Sequence, residues 1–255
     1  MPSTLSRTDR RRTSPAGFTL LELIAIVAIS GVLMALLLPA LSSAKEKSRR
    51  SVCGVNEREI VYALTFYGDE NKDFLPAATD NSGGYHSIVL SSLTYSNMMR
   101  ELYNESNILY CPNLLQAVGK MGGYDPKTGY TIGYSYLAIK ELPATPKGPD
   151  VGWSGPENTM DASEVVADAN YWIKNSSQTL TVAPHTTGGA VAMANSGSST
   201  ASTGSASLIP GSSSSMAVGG KGGNVGSLDG SVVWEPISLM GEYPASLDGS
   251  ANGNW

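Results

Sequence analysis

The chain has 255 residues, a net charge of −5 and only 15% charged residues, against about 25% in an ordinary soluble domain. That length suits one domain with appendages or two small domains, and a mean hydropathy of −0.08 excludes a polytopic membrane protein. A pI near 5.1 argues against a nucleic-acid partner, and two histidines with two cysteines argue against a zinc site built from Cys and His.

The charge is unevenly spread. Residues 1–17 carry Arg7, Arg10, Arg11 and Arg12 against Asp9, a net +3, whereas residues 18–255 carry −8. Residues 23–41, LIAIVAISGVLMALLLPAL, form a run of 19 uncharged residues. As a helix that run spans a hydrocarbon core about 30 Å thick. Arginines ahead of it favour a cytoplasmic N-terminus, although Lys45, Lys47, Arg49, Arg50 and Arg58 behind it weaken that bias. A secretory signal peptide cut near Ser42-Ser43-Ala44 and a plain anchor both fit the apolar run. Neither accounts for Glu22, because a carboxylate in the membrane costs roughly 2.5–3.5 kcal/mol on insertion scales and by default marks function. Pro39 removes one helical hydrogen bond near the end of the run, so it predicts a kink or the membrane exit.

Beyond the run, residues 42–67 contain no proline and only Gly54 as a breaker. Cys53, Asn56, Ile60, Ala63, Leu64 and Tyr67 recur at helical spacing and predict one face. Gly68 is expected to end the helix. Residues 18–67 would then make one stem about 75 Å long.

The segment Gly17-Phe18-Thr19-Leu20-Leu21-Glu22, followed by the apolar run, resembles the type IV prepilin signal of type IV pilins and type II secretion pseudopilins. The resemblance implies a prepilin peptidase that cuts between Gly17 and Phe18 and N-methylates Phe18. It implies that Glu22 pairs with the new amine of a neighbouring subunit during assembly, and pairing offsets the cost of burying either charge alone. The stretch LLLPALSSAKEKSRRSVCGVNEREIVYALTFYGDENKDFLP resembles prepilin-like proteins of Planctomycetes and Verrucomicrobia. Cys53, Asn56, Ile60, Tyr67 and Leu75-Pro76 follow their pattern, and Glu57 and Glu59 depart from it where Leu and Gln are usual. Tyr110-Cys111-Pro112, SEVVADAN at 163–170 and NVGSLDGSVVW at 224–234 extend the likeness. Many members carry a histidine ten residues before the hairpin aspartate. Gly219 stands there in this chain, and His185 would be that histidine displaced by a Gly/Ser insertion.

In the remainder, a short helix is expected near 95–103, and β-rich runs at 130–139, 163–173, 178–183 and 190–194. Runs 224–228 and 231–235 flank Asp229-Gly230, which reads as a two-residue hairpin. The expected fold class is α+β and pilin-like, with a long N-terminal helix, transmembrane then amphipathic, packed on a small antiparallel sheet. The expected parts are a cleaved leader (1–17), the transmembrane half of the stem (18–41), its periplasmic half (42–68), the head (69–240) and a C-terminal tail (241–255). Residues 195–220 hold ten serines and are expected to be a flexible loop; glycosylation or display is the functional alternative.

Cys53 and Cys111 are the only cysteines. Translocation would place them in an oxidising compartment, where a disulfide between them would add about 4 kcal/mol by constraining the unfolded chain. Two buried free thiols are the alternative. Asp69, Asn71 and Asp73 have the alternation of a calcium loop, but Phe74 and Thr79 stand where it needs Gly and Glu. Ser-Leu-Asp-Gly-Ser occurs at 227–231 and 246–250, which makes Asp229 and Asp248 calcium candidates, with simple turns as the competing reading. No other cofactor is implied. No catalytic constellation emerges: G-x-S-x-G is absent, and His86 and His185 have no partner pattern. The four tryptophans read as strand packing rather than a glycan platform.

The expectation is therefore a non-enzymatic subunit of a type IV pilus or a secretion pseudopilus. Its partners would be prepilin peptidase and other pilin or pseudopilin subunits. It would sit single-pass in the inner membrane, N-terminus cytoplasmic and head periplasmic, reaching the cell surface on assembly. The competing class is an anchored periplasmic binding module that uses the same signal and never polymerises.

Overall fold

The computed structural model describes residues 17–72, 74–114, 123–138, 164–174, 179–187, 189–195, 214–246 and 251–255. The chain divides into two compact units, Met1–Ser42 and Ser43–Trp255. The overall class is α+β, with one long apolar N-terminal helix and small antiparallel sheets.

Helix α1 is continuous over Leu20–Glu70. Its start is closed reciprocally. The Thr19 backbone N–H and hydroxyl each donate to Glu22 Oε2 at 2.9 Å, and the Glu22 N–H donates to Thr19 Oγ1 at 3.2 Å. This capping box satisfies donors that a helix N-terminus otherwise leaves orphaned. In the first unit the large apolar side chains are exposed, Leu20 at 76% and Leu36 at 72%. The helix holds a stretch long and apolar enough to cross a membrane. It continues through Pro39, whose carbonyl accepts the Ser42 hydroxyl at 2.9 Å.

Gly68 does not end α1, as it was expected to do; it lies buried inside the last turns. Packing there outweighs the roughly 1 kcal/mol that glycine costs a helix. The end comes at Glu70, where the Asn71 side-chain amide donates to the Tyr67 carbonyl at 2.7 Å and Lys72 turns left-handed at φ 59°.

The second unit adds helix α2 (Ser92–Glu101) and twelve strands among the described residues. Helix α2 starts earlier than expected because the Ser91 hydroxyl accepts the Thr94 N–H and caps it. The smallest sheet joins β1 (Val89–Leu90), β3 (Gly129–Thr131) and β2 (Tyr124–Asp125). The second has the order β10 (Val232–Pro236), β9 (Gly222–Ser227), β5 (Glu164–Asp168), β4 (Tyr134–Tyr136). The third has the order β11 (Glu242–Pro244), β12 (Ala251–Asn254), β6 (Asn170–Lys174), β7 (Thr179–Thr186), β8 (Gly189–Asn195).

Four expectations change. The single run at 163–173 becomes two strands in two sheets, separated only by Ala169. The run at 130–139 likewise breaks between β3 and β4. The Asp229-Gly230 hairpin forms, but its loop is the three residues 228–230, because Ser227 and Ser231 still pair through a 2.9 Å bond. Gly230 at φ 85° is the left-handed residue that such a loop requires. The expected tail forms β11 and β12, and Trp255 is only 3% exposed.

The core of this unit joins the second half of α1 to the sheets. Cys53, Ile60, Val61, Ala63 and Leu64 pack with Tyr134, Tyr136, Val165, Val166 and Val225. The Asn56 amide donates to the Tyr134 hydroxyl at 3.1 Å, and the Asn224 amide donates to the Arg50 carbonyl at 3.2 Å. Strands β4 and β9 thus face this stretch of helix. Asn56 and Tyr67, expected on the buried face, are only half-buried, and Glu57 takes a place on that face instead.

Candidate functional site

The helix spacing that buries Cys53 also runs backwards and forwards through charged residues. Glu46, Arg50, Cys53 and Glu57 are four, three and four residues apart, which places them on one face of α1. Opposite them stand Cys111 and Asn113, Asp168 at the end of β5, His185 in β7 and Asn224 in β9. All except Arg50 are buried. Cys111 is held where it is by Gly133, since a Cβ there would lie 2.7 Å from the Cys111 backbone nitrogen.

His185 is the centre of this cluster and is completely buried. Its Nδ1 meets Glu46 Oε1 at 2.8 Å, and its Nε2 meets Asp168 Oδ2 at 3.2 Å. Burial opposes charge on the ring, but Asp168, Cys111 and Glu46 push its pKa up to about 12. The ring thus lies between two carboxyl groups that favour its charged form. Burial works against the Glu46 carboxylate too, yet hydrogen bonds from His185, Asn113 and Arg50 hold it below its usual range. The Asn113 amide donates to Glu46 Oε2 at 2.8 Å and to the Pro184 carbonyl at 3.0 Å. Asp168 Oδ2 accepts the Asn224 backbone N–H at 2.7 Å and its side-chain amide at 2.9 Å. Asp168 Oδ1, equally buried, has no partner among the described residues.

On the outer side, Arg50 reaches Glu46 at 3.3 Å and lies 4.1 Å from the Trp234 ring centroid, and that ring is T-shaped to His185 with centroids 5.4 Å apart. A cleft of about 330 Å³ opens beside Glu46, Arg50, Thr186 and Lys221. Glu57 is the exception in the cluster. It is fully buried, and neither carboxylate oxygen has a partner among the described residues. Burial first, then neighbouring Asp168 and Cys111, push its carboxyl well up, against a smaller pull from His185. Glu59, two residues further on, is exposed.

Cys53 and Cys111, the expected disulfide pair, come together as free thiols with sulfurs 2.9 Å apart. Burial drives the Cys53 thiol far up. Burial acts likewise on Cys111, but bonds from Cys53 and His185 bring it down to about 7.

The other expected residues stand apart from the cluster. Gly17 and Phe18 precede α1, with Phe18 71% exposed. Glu22 serves the helix cap, and Pro39 lies within α1. Asp229 is exposed and accepts the Ser231 N–H at 2.8 Å, which is turn chemistry. Asp248 lies outside the described residues, as do the leader residues 1–16 and the Gly/Ser segment 196–213. His86, expected at a surface or interface, is half-buried against Tyr171, whose hydroxyl is 3.2 Å from its Nε2. His185 lies beside the segment that follows Gly219: Lys221 N–H donates to the His185 carbonyl at 2.8 Å, and Thr186 pairs with Gly220.

Sequence reasoning missed Glu46, Asn113, Asp168 and Asn224 as a group. The 4-3-4 spacing on α1 was the available signal. It also missed the cap, which Thr19-x-x-Glu22 spells out. The chain matches no protein-family model, no curated protein and no solved structure.

Proposed function

We propose that this chain is a prepilin-type subunit, anchored once in the inner membrane with its N-terminus in the cytoplasm and its head on the far side. Prepilin peptidase would cut between Gly17 and Phe18 and methylate Phe18. The mature chain would join a type IV pilus or secretion pseudopilus through the apolar half of α1, with Glu22 meeting a neighbour's amine. Its role would be structural rather than enzymatic.

One observation carries this reading. From Phe18 to Ala44 the only charge is Glu22, placed four residues after Phe18, in a helix whose large apolar side chains are exposed. Such a surface calls for lipid or for other apolar helices. The return of His185 to the segment around Lys221 supports the likeness to the prepilin-like group. Mass spectrometry of the N-terminus of protein from its native host tests the proposal. The expected terminus is N-methyl-Phe18. A mature chain starting at Lys45, or an intact leader, would overturn it. With Phe18 methylated, Glu22→Ala is expected to abolish filaments. Filaments assembled normally by that variant would remove the assembly role, and absence of filaments in the wild type would leave the anchored, non-polymerising module.

A further inference from the structure

We propose that Cys53, Cys111, Asp168 and His185 bind one divalent metal ion, with the donor set of a structural zinc site. These residues come from α1, the segment after Leu109, β5 and β7, and all four are buried. One ligand atom from each lies within 4.8 Å of every other. The two sulfurs are 2.9 Å apart, Cys111 Sγ and His185 Nε2 are 4.0 Å apart, and His185 Nε2 and Asp168 Oδ2 are 3.2 Å apart. A tetrahedral zinc with its usual bond lengths separates its ligand atoms by about 3.3–3.8 Å. These three edges straddle that range, the sulfur pair needing to open by about 0.9 Å, and the other three separations lie within 4.8 Å.

Three further observations point the same way. His185 turns its other nitrogen onto Glu46, and Glu46 is itself held by Asn113. That carboxylate–histidine arrangement is how metal-bound imidazoles are oriented. Asp168 Oδ2, the oxygen facing His185, is oriented by two bonds from Asn224, as a ligating carboxylate is, and the buried Oδ1 of the same carboxylate has no partner among the described residues. Two thiolates with an imidazole favour zinc over calcium or magnesium, which prefer all-oxygen sites. Counting Cys and His argued against such a site because the fourth ligand is a carboxylate.

Loading exchanges protons for metal. The protons still on the two sulfurs and the proton on His185 Nε2 leave to solvent, while Nδ1–H stays on Glu46. The competing arrangement leaves His185 between its carboxyl groups without metal, and an external disulfide oxidant takes two electrons and two protons from the thiols to form a Cys53–Cys111 disulfide. The two arrangements exclude each other, because a disulfide removes both thiolates.

The test uses the full chain, purified from membranes in detergent without chelator or reductant. Elemental mass spectrometry is expected to find about one zinc per chain. Both thiols should resist alkylation until a chelator is added, and cobalt exchanged for zinc should give a thiolate-to-cobalt charge-transfer band. Glu46→Gln is expected to weaken zinc binding by about 10–100-fold while keeping the cobalt band, and Cys111→Ser to lose the band. If Cys111→Ser does not fold, alkylation of the wild type with and without chelator decides. A Cys53–Cys111 disulfide in protein from the native host would overturn the proposal. So would failure of the reduced chain to take up zinc, or zinc that leaves both thiols freely reactive.

Discussion

Two stretches of α1 treat water in opposite ways. Between Phe18 and Ala44 there is one charge, and side chains such as Leu20, Leu21 and Leu36 are more than 70% exposed. Between Glu46 and Glu57 there are five charges, and both of these glutamates are less than a tenth exposed. A helix of a soluble protein hides its apolar side and wets its charges. Here the large apolar side chains of the first stretch are exposed among the described residues, whereas Glu46 in the charged stretch already has its partners in His185, Asn113 and Arg50. The first stretch is chemistry waiting for a medium or a neighbour; the second is chemistry already used inside the head.

The strongest way to break this contrast is to remove the partner of the buried charges. His185→Ala leaves buried Asp168 without its cationic partner and Glu46 with Arg50 alone, and stability is expected to fall by about 3–5 kcal/mol. Denaturant unfolding followed by tryptophan fluorescence measures this. A loss below about 1 kcal/mol would show that apolar packing alone holds the charged stretch.

Glu57 sharpens the contrast because it is buried with no partner among the described residues. Its folded pKa is raised, by burial first and then by Asp168 and Cys111, against His185. The folded state therefore holds the proton more tightly than the unfolded state. Stability linked to this group is full below the unfolded value near 4.3. It is then lost as pH rises towards the folded value, by about 1.4 kcal/mol per pH unit. Glu57→Gln carries no such titration. It is expected to match the wild type near pH 4 and to exceed it increasingly towards pH 7. Parallel pH profiles of the two proteins would show instead that Glu57 is solvated or paired.

The smallest effect belongs to the other stretch. Leu33 is 56% exposed, so Leu33→Ala is expected to leave the unfolding midpoint of the head unchanged within about 0.5 kcal/mol. A larger shift in detergent would mean that the apolar stretch also packs within the chain.

Much of the fold could be read from residues alone, and the reasons are local. The apolar run 23–41 reports itself by length, and Asp229-Gly230 reports its hairpin by the left-handed residue the loop needs. The cluster around His185 could not be read in this way. Glu46, Arg50 and Glu57 look like a solvated helix face, and the burial of the two glutamates depends on strands more than a hundred residues further on. Cys111 and His185 are 74 positions apart, and no spacing rule joins them. Strand β12, with the sequence ANGN, has little intrinsic preference for extended structure. It becomes a strand because β6 pairs with it over four residues.

Ala169 has a mechanical consequence. One residue separates β5 from β6, so the run from Glu164 to Lys174 is a strand of both larger sheets. Neither sheet can lose that strand without pulling on the other. Amide hydrogens in β9, paired to β5, and in β7 and β12, paired to β6, should therefore exchange together in one concerted opening rather than sheet by sheet. The head would behave as a single latch, released all at once or not at all.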